Sequence, residues 1–180
     1  MRAVIDTNVL LVANGQHAEV SPECVEACVL HLVAMQEAGT VVIDDAYRIL
    51  GEYQHKTRID PPKGVGDVFF KWLLREATKG GRVEQVALTE HAENCFAEFP
   101  QGALEAVFDP PDRKFVAVAH AHPDKPEIWQ AADSKWLDWW PTLREHGVRV
   151  KFLCPDDACR FHKAKFPDRA APSLPNESHE

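Results

Sequence analysis

The sequence predicts an α/β fold, a three-layer α/β/α sandwich around a central, mainly parallel sheet of about five strands. Three observations carry this. Short, largely apolar runs recur at 3–5, 40–43, 83–88, 127–132 and 148–153, and only the last alternates cleanly with polar residues. Stretches with apolar residues at helical spacing separate them. Strands buried on both faces lose polar alternation, and a strand–helix–strand succession implies parallel pairing with helices over both faces.

The elements follow in order. Ala3, Val4 and Ile5 end at Asp6-Thr7-Asn8. Ser21-Pro22-Glu23 combines an N-cap residue, a proline at the first helical position and a first-turn acid. The helix it opens carries Val25, Val29, Leu32, Val33 and Met35 and stops at Gly39. After the strand at 40–43, Asp44 caps a helix bearing Tyr47, Ile49, Leu50 and Tyr53. A Pro/Gly-rich loop at 58–66 precedes a helix at 68–78, which Gly80-Gly81 ends. The strand at 83–88 leads to Thr89, read as the cap of a short helix to about Phe99. Asp109-Pro110-Pro111-Asp112 opens a helix through Phe115, Val116, Val118 and Ala119. The strand at 127–132 ends at Asp133, and a helix near 137–146 leads through Gly147 to the last strand.

At 180 residues, 45% hydrophobic and 27% charged, the chain suits one globular domain. That domain spans 1–155, with an extended helical middle at about 55–108. A tail at 156–180, rich in Pro, Ser and charge from Pro167 onward, is expected to be partly disordered. No apolar run approaches the roughly 18 residues of a membrane span, and no signal-peptide pattern opens the chain, so a cytoplasmic protein is expected. The net charge of −8 excludes a protein that coats nucleic acid with lysine and arginine, but not one that meets phosphate through bound metal. The five cysteines are expected as reduced thiols. Cys24 and Cys28 lie one helical turn apart and pack, while Cys154, Cys159 and His162 make an incomplete zinc set.

Ligands of parallel sheets sit beyond the carboxyl ends of the strands. Asp6 and Asp133 occupy that position, and Glu52 and Asp112 lie on helices that start near the same edge. Taken singly, each has an ordinary use, as turn residue, solvated helix face or dipole partner. Together they form a cluster of carboxylates, which repel one another unless a cation neutralises them.

Four segments resemble PIN-domain nucleases. Val4-Ile5-Asp6-Thr7-Asn8-Val9-Leu10 is similar to the family's opening strand and acid, and Glu52 in Ile49-Leu50-Gly51-Glu52-Tyr53 matches the acid after the second strand. In Asp109–Ala119 the family register selects Asp112, with Phe115 and Ala119 in the matching places, and makes Asp109 a neighbour or cap. Ala131-Ala132-Asp133-Ser134-Lys135-Trp136 resembles the fourth segment. It departs in two ways: Ala131 replaces a hydroxyl residue, and Lys135 replaces a further acid.

The resemblance implies a Mg²⁺- or Mn²⁺-dependent phosphodiesterase acting on RNA, with one or two ions. Asp6, Asp112 and Asp133 would be ligands, and Glu52 a ligand or base. Thr7 and Asn8 would support the loop, and Arg113, Lys114 or Lys135 would reach the substrate backbone. It further implies an antitoxin-like protein partner, as in toxin–antitoxin pairs, and pairing into homodimers. Two other functions compete. A haloacid-dehalogenase-like phosphatase uses a strand-end Asp followed two residues later by another, and Asn8 stands there instead. A catalytically weak PIN scaffold binding RNA or protein fits Ala131 and Lys135. The tryptophans 129, 136, 139 and 140 are read as packing, His120 and His122 as helix-end partners, and Lys163, Lys165 and Arg169 as a solvated basic tail.

Overall fold

The computed structural model describes residues 1–170 and 172–175. β1 (Arg2–Ile5) is followed by α1 (Thr7–Ala13), α2 (Pro22–Ala38), β2 (Thr40–Asp44), α3 (Arg48–Lys56), α4 (Val65–Lys79) and β3 (Val83–Val86). A hairpin of β4 (Glu90–Ala92) and β5 (Cys95–Phe96), a short α5 (Leu104–Val107) and a 3-10 turn (Pro110–Asp112) lead to α6 (Arg113–Ala121). Then come β6 (Glu127–Gln130), α7 (Trp136–Glu145), β7 (Val150–Phe152) and α8 (Pro155–Lys165).

The five sheet strands are all parallel, in the order β3-β2-β1-β6-β7. From β1 the chain steps outward to β2 and β3, then returns across the sheet to β6 and β7 on the other side. The direction of winding therefore reverses between β1 and β6. Right-handed crossovers put the helices of the two halves on opposite faces. Consistent with this, α1, α2 and α4 pack together, while α6 lies against β1, β2 and β6. This is a three-layer α/β/α architecture. β1, at the centre, is buried from Ala3 to Ile5. The four tryptophans from Trp129 to Trp140 are all buried, Trp136 and Trp139 around Phe108.

Local chemistry explains several boundaries. The Ser21 hydroxyl accepts the Cys24 N–H at 3.2 Å, capping α2. The buried Asp44 carboxylate accepts the Arg48 and Ile49 N–H groups at 2.8 and 2.9 Å, so it caps α3 from three residues outside, while Tyr47 takes a left-handed φ of 59°. In the Pro/Gly loop the buried Asp67 accepts the Arg58 and Lys63 N–H groups and the Asn14 amide. Gly66 lets α4 approach α1: a Cβ there would sit 2.2 Å from the Leu10 carbonyl oxygen.

Four expectations need correction. The segment after Thr89 is the β4–β5 hairpin, because Asn94 turns the chain at φ 55° and Glu98 accepts the Thr89 N–H. A helix forms directly after Asp6, which caps it. The chain beyond 155 begins with the ordered α8, whose Ala158 and His162 are buried against the body. The expected tail disorder at residues 171 and 176–180 lies outside the described residues. Finally, Cys24 and Cys154 are joined in a disulfide, not reduced thiols. Folding brings their Cα atoms to 5.0 Å although 130 positions separate them, a proximity no spacing rule reveals. The bond takes Cys154 out of the Cys154–Cys159–His162 set, and His162 faces Asp138 instead, at 3.0 Å. Among the described residues, no helix is long and apolar enough to cross a membrane.

Candidate functional site

The carboxyl ends of β1 and β6 meet where the winding reverses, the usual ligand position of an open parallel sheet. The Asp6 N–H donates to the Trp129 carbonyl at 2.9 Å, and Asn8 Oδ1 accepts the Ala131 N–H at 3.1 Å, pinning the two strand ends together. Asp6 directly follows β1 and is the N-cap of α1, its Oδ1 accepting the Asn8 N–H at 2.8 Å. Beneath it the fully buried Tyr53 hydroxyl donates to the Ile5 carbonyl.

Glu52 reaches this point from α3. Its Oε1 accepts the Thr7 hydroxyl at 2.6 Å, and its Oε2 pairs with the buried Lys114 ammonium, which also donates to the Pro111 carbonyl. Asp112 ends the 3-10 turn before α6, and Asp133 follows β6. Both face the Lys135 ammonium, at 3.9 and 3.5 Å, and Asp109 is ion-paired to the same group.

The electrostatics show that these groups share one site. Burial holds the Asp6 carboxyl well above the usual carboxylate range. The negative charges of Asp112, Glu52 and Asp133 push the same way, and only the Asn8 N–H opposes them. Burial pushes Asp112 up to about 6, with Asp133 and Glu52 adding to it and Lys135 and Lys114 opposing. Lys135 is itself held above its ordinary value, because Asp109, Asp133 and Asp112 outweigh the burial that disfavours its charge. Five carboxylates thus meet two ammonium groups, leaving an excess of negative charge.

An all-carboxylate, negatively charged donor set suits a hard divalent cation. Glu52 is ion-paired to Lys114, and Asp109, Asp112 and Asp133 to Lys135. Among the described residues, the only trio of potential ligands with all its ligating atoms within 4.8 Å is Cys24, Cys28 and Cys154, two of which are already bonded together. In this trio the Cys28 thiol lies 3.8 Å from Cys154 Sγ, and burial pushes its pKa up to about 12.

Folding brings together Asp6, Thr7, Asn8, Glu52, Asp109, Asp112 and Asp133. The three cations read as reaching out to substrate are placed otherwise. Arg113 donates to the Glu105 and Phe108 carbonyls at 2.7 and 3.3 Å, clamping the segment before α6. Lys114 and Lys135 turn inward to the carboxylates. Asp109 makes no side-chain cap and spends its charge on Lys135. Tyr53 was missed as a support of the site, although it adjoins Glu52. An aromatic one position from an acid reads as a core residue of the helix, which it also is. The hydroxyl's use depends on where β1 lies. His120 and His122 bond the Glu98 carbonyl and the Glu84 carboxylate, both at 2.8 Å, and take no part here.

Compared with known proteins, the chain matches no family model, no curated protein and no solved structure.

Proposed function

We propose that this protein is a divalent-metal-dependent nuclease, an endoribonuclease that hydrolyses phosphodiesters, as the likeness of its four acidic segments to PIN domains implies. The observation that carries the reading is the convergence of Asp6, Glu52, Asp112 and Asp133 at the switch point of the sheet. Their shared burial and repulsion raise the carboxyl pKa values of Asp6 and Asp112. Asp6, Asp112 and Asp133 would hold Mg²⁺ or Mn²⁺, and Glu52, oriented by Thr7 and Lys114, would hold the ion or accept the proton of the attacking water. The ion supplies a lowered pKa for bound water and a positive field for the phosphate. Asp6 is held by the Asn8 N–H at the α1 N-terminus, and the strand end behind it by the Tyr53 hydroxyl on the Ile5 carbonyl.

A second reading is favoured by one observation. Lys114 and Lys135 already place two positive charges among the acids, as befits a scaffold that binds RNA or protein without cutting it. Incubation of the protein with single-stranded RNA and Mn²⁺, beside Asp6→Asn, separates the two. Cleavage that needs metal and disappears in the variant supports the nuclease; RNA binding without cleavage supports the scaffold. A toxin role, an antitoxin-like partner and a homodimer rest on the resemblance alone. Growth arrest on expression, relieved by the product of an adjacent reading frame, tests the first two, and light scattering tests the third.

A further inference from the structure

The acidic centre opens sideways into a shallow groove of about 560 Å³, within the roughly 300–1,000 Å³ of ligand clefts. Asn8 and Asp133 form its inner wall and belong to the acidic centre; Phe161 and Lys165 of α8 form the outer one, with His17 between. The His17 ring is stacked on Phe161, with centroids 5.6 Å apart and planes 23° from parallel, and both rings are half-buried. Phe161 also packs against the core with Arg160 over its ring at 4.5 Å, while both rings keep part of their surface open to the groove. Lys165 is exposed and has no ion pair among the described residues. With its Oδ1 held by the Ala131 N–H, Asn8 has its amide NH₂ left to donate. Glu19 on the rim carries an opposing charge, so the groove is not a general cradle for polyanions.

We propose that this groove seats the nucleotide next to the scissile phosphate, its base against the His17–Phe161 pair and its outer phosphate on Lys165. The proposal rests on the nuclease reading and adds the substrate subsite to it. Aromatic faces hold single-stranded bases with little regard to sequence, because every base offers a π-face. The geometry makes the subsite continuous with the acids through Asn8 and Asp133, and it makes α8 part of the substrate site.

The test uses the full chain, fluorescent single-stranded RNA and Mn²⁺, comparing wild type with His17→Ala, Phe161→Leu and Lys165→Gln. Phe161→Leu keeps an apolar group against the core, so loss of folding does not confuse the result. Removing the ring contact raises KM by about 5- to 150-fold, the range of one stacked base, and leaves kcat within about twofold. An RNA with an abasic position beside the scissile bond shows the same loss with wild type and no further loss with His17→Ala. Cleavage by wild type with KM unchanged in the variants, or a full additional abasic loss in His17→Ala, overturns the subsite. If wild type does not cleave, the nuclease reading fails, and anisotropy of RNA binding in EDTA decides the groove alone. Weakening by His17→Ala sustains it as a base-binding site, and equal binding overturns it.

Discussion

Asn in place of Asp112 keeps the shape of the side chain and deletes its charge. In the fold this carboxyl titrates at about 6 instead of its ordinary 3.8. At roughly 1.36 kcal/mol per pH unit the difference corresponds to about 3 kcal/mol. Coupling to Lys135 and Asp133 reduces the measurable part to about 1–3 kcal/mol. The unfolded chain releases this proton near the ordinary value and the folded protein only near 6, so folding retains a proton between the two. Stability therefore falls as pH rises through that window, and the whole penalty is present above it. Asp112→Asn escapes the penalty. Its advantage over wild type is at most about 0.5 kcal/mol at pH 4 and about 1–3 kcal/mol at pH 8. Urea unfolding in EDTA, followed by the fluorescence of the buried tryptophans, measures both. Adding Mn²⁺ at pH 8 narrows or reverses the difference, because only an intact acid set gains from the ion: about 2.7 kcal/mol at a hundredfold excess over Kd. A variant no more stable than wild type at pH 8, or equally more stable at both pH values, refutes the reasoning.

Three further outcomes follow from the geometry. Gly66→Ala drives a Cβ to 2.2 Å from the Leu10 carbonyl oxygen, so α4 must shift from α1; thermal or urea unfolding should show a loss of about 1–3 kcal/mol. Tyr53→Phe leaves the buried Ile5 carbonyl without its partner and lowers stability by about 1–3 kcal/mol, with a fall in Mn²⁺ affinity measured by calorimetry because Asp6 loses its support. Lys135→Ala removes the ammonium that competes for Asp112 and Asp133. Calorimetry at pH 8 should show tighter Mn²⁺ binding than wild type, and weaker binding would mean that Lys135 orders the acids instead of competing for them.

The sheet was legible because parallel strands buried on both faces are mostly apolar, as 3–5 and 40–43 are, and 127–132 keeps Ile128, Trp129, Ala131 and Ala132 around the buried Gln130. Ser21-Pro22 marked the start of α2 for a local reason, the N–H groups that a helix end must satisfy. The acids could be picked out because strand ends in such sheets lie along one edge, whatever the loops do. What escaped depends on contacts distant in sequence. Thr89 looks like a cap, yet Asn94 in a left-handed turn and the Glu98 carboxylate make a hairpin of the segment. Lysines 114 and 135 look solvated because nothing local says that carboxylates converge on them. Cys24 finds Cys154 only after α2 and the start of α8 have been packed together.

The central strand precedes its neighbour on one side, β6, by more than a hundred residues, pairing Ala3 with Glu127 and Ile5 with Trp129. Until β6 has been made, that flank of β1 has no partner, a sticky ribbon of amide groups that invites wrong pairings. The last acid, Asp133, emerges with the segment that finally covers it. The pairing that covers this flank of β1 and the arrival of Asp133 beside Asp6 therefore belong to one step of folding.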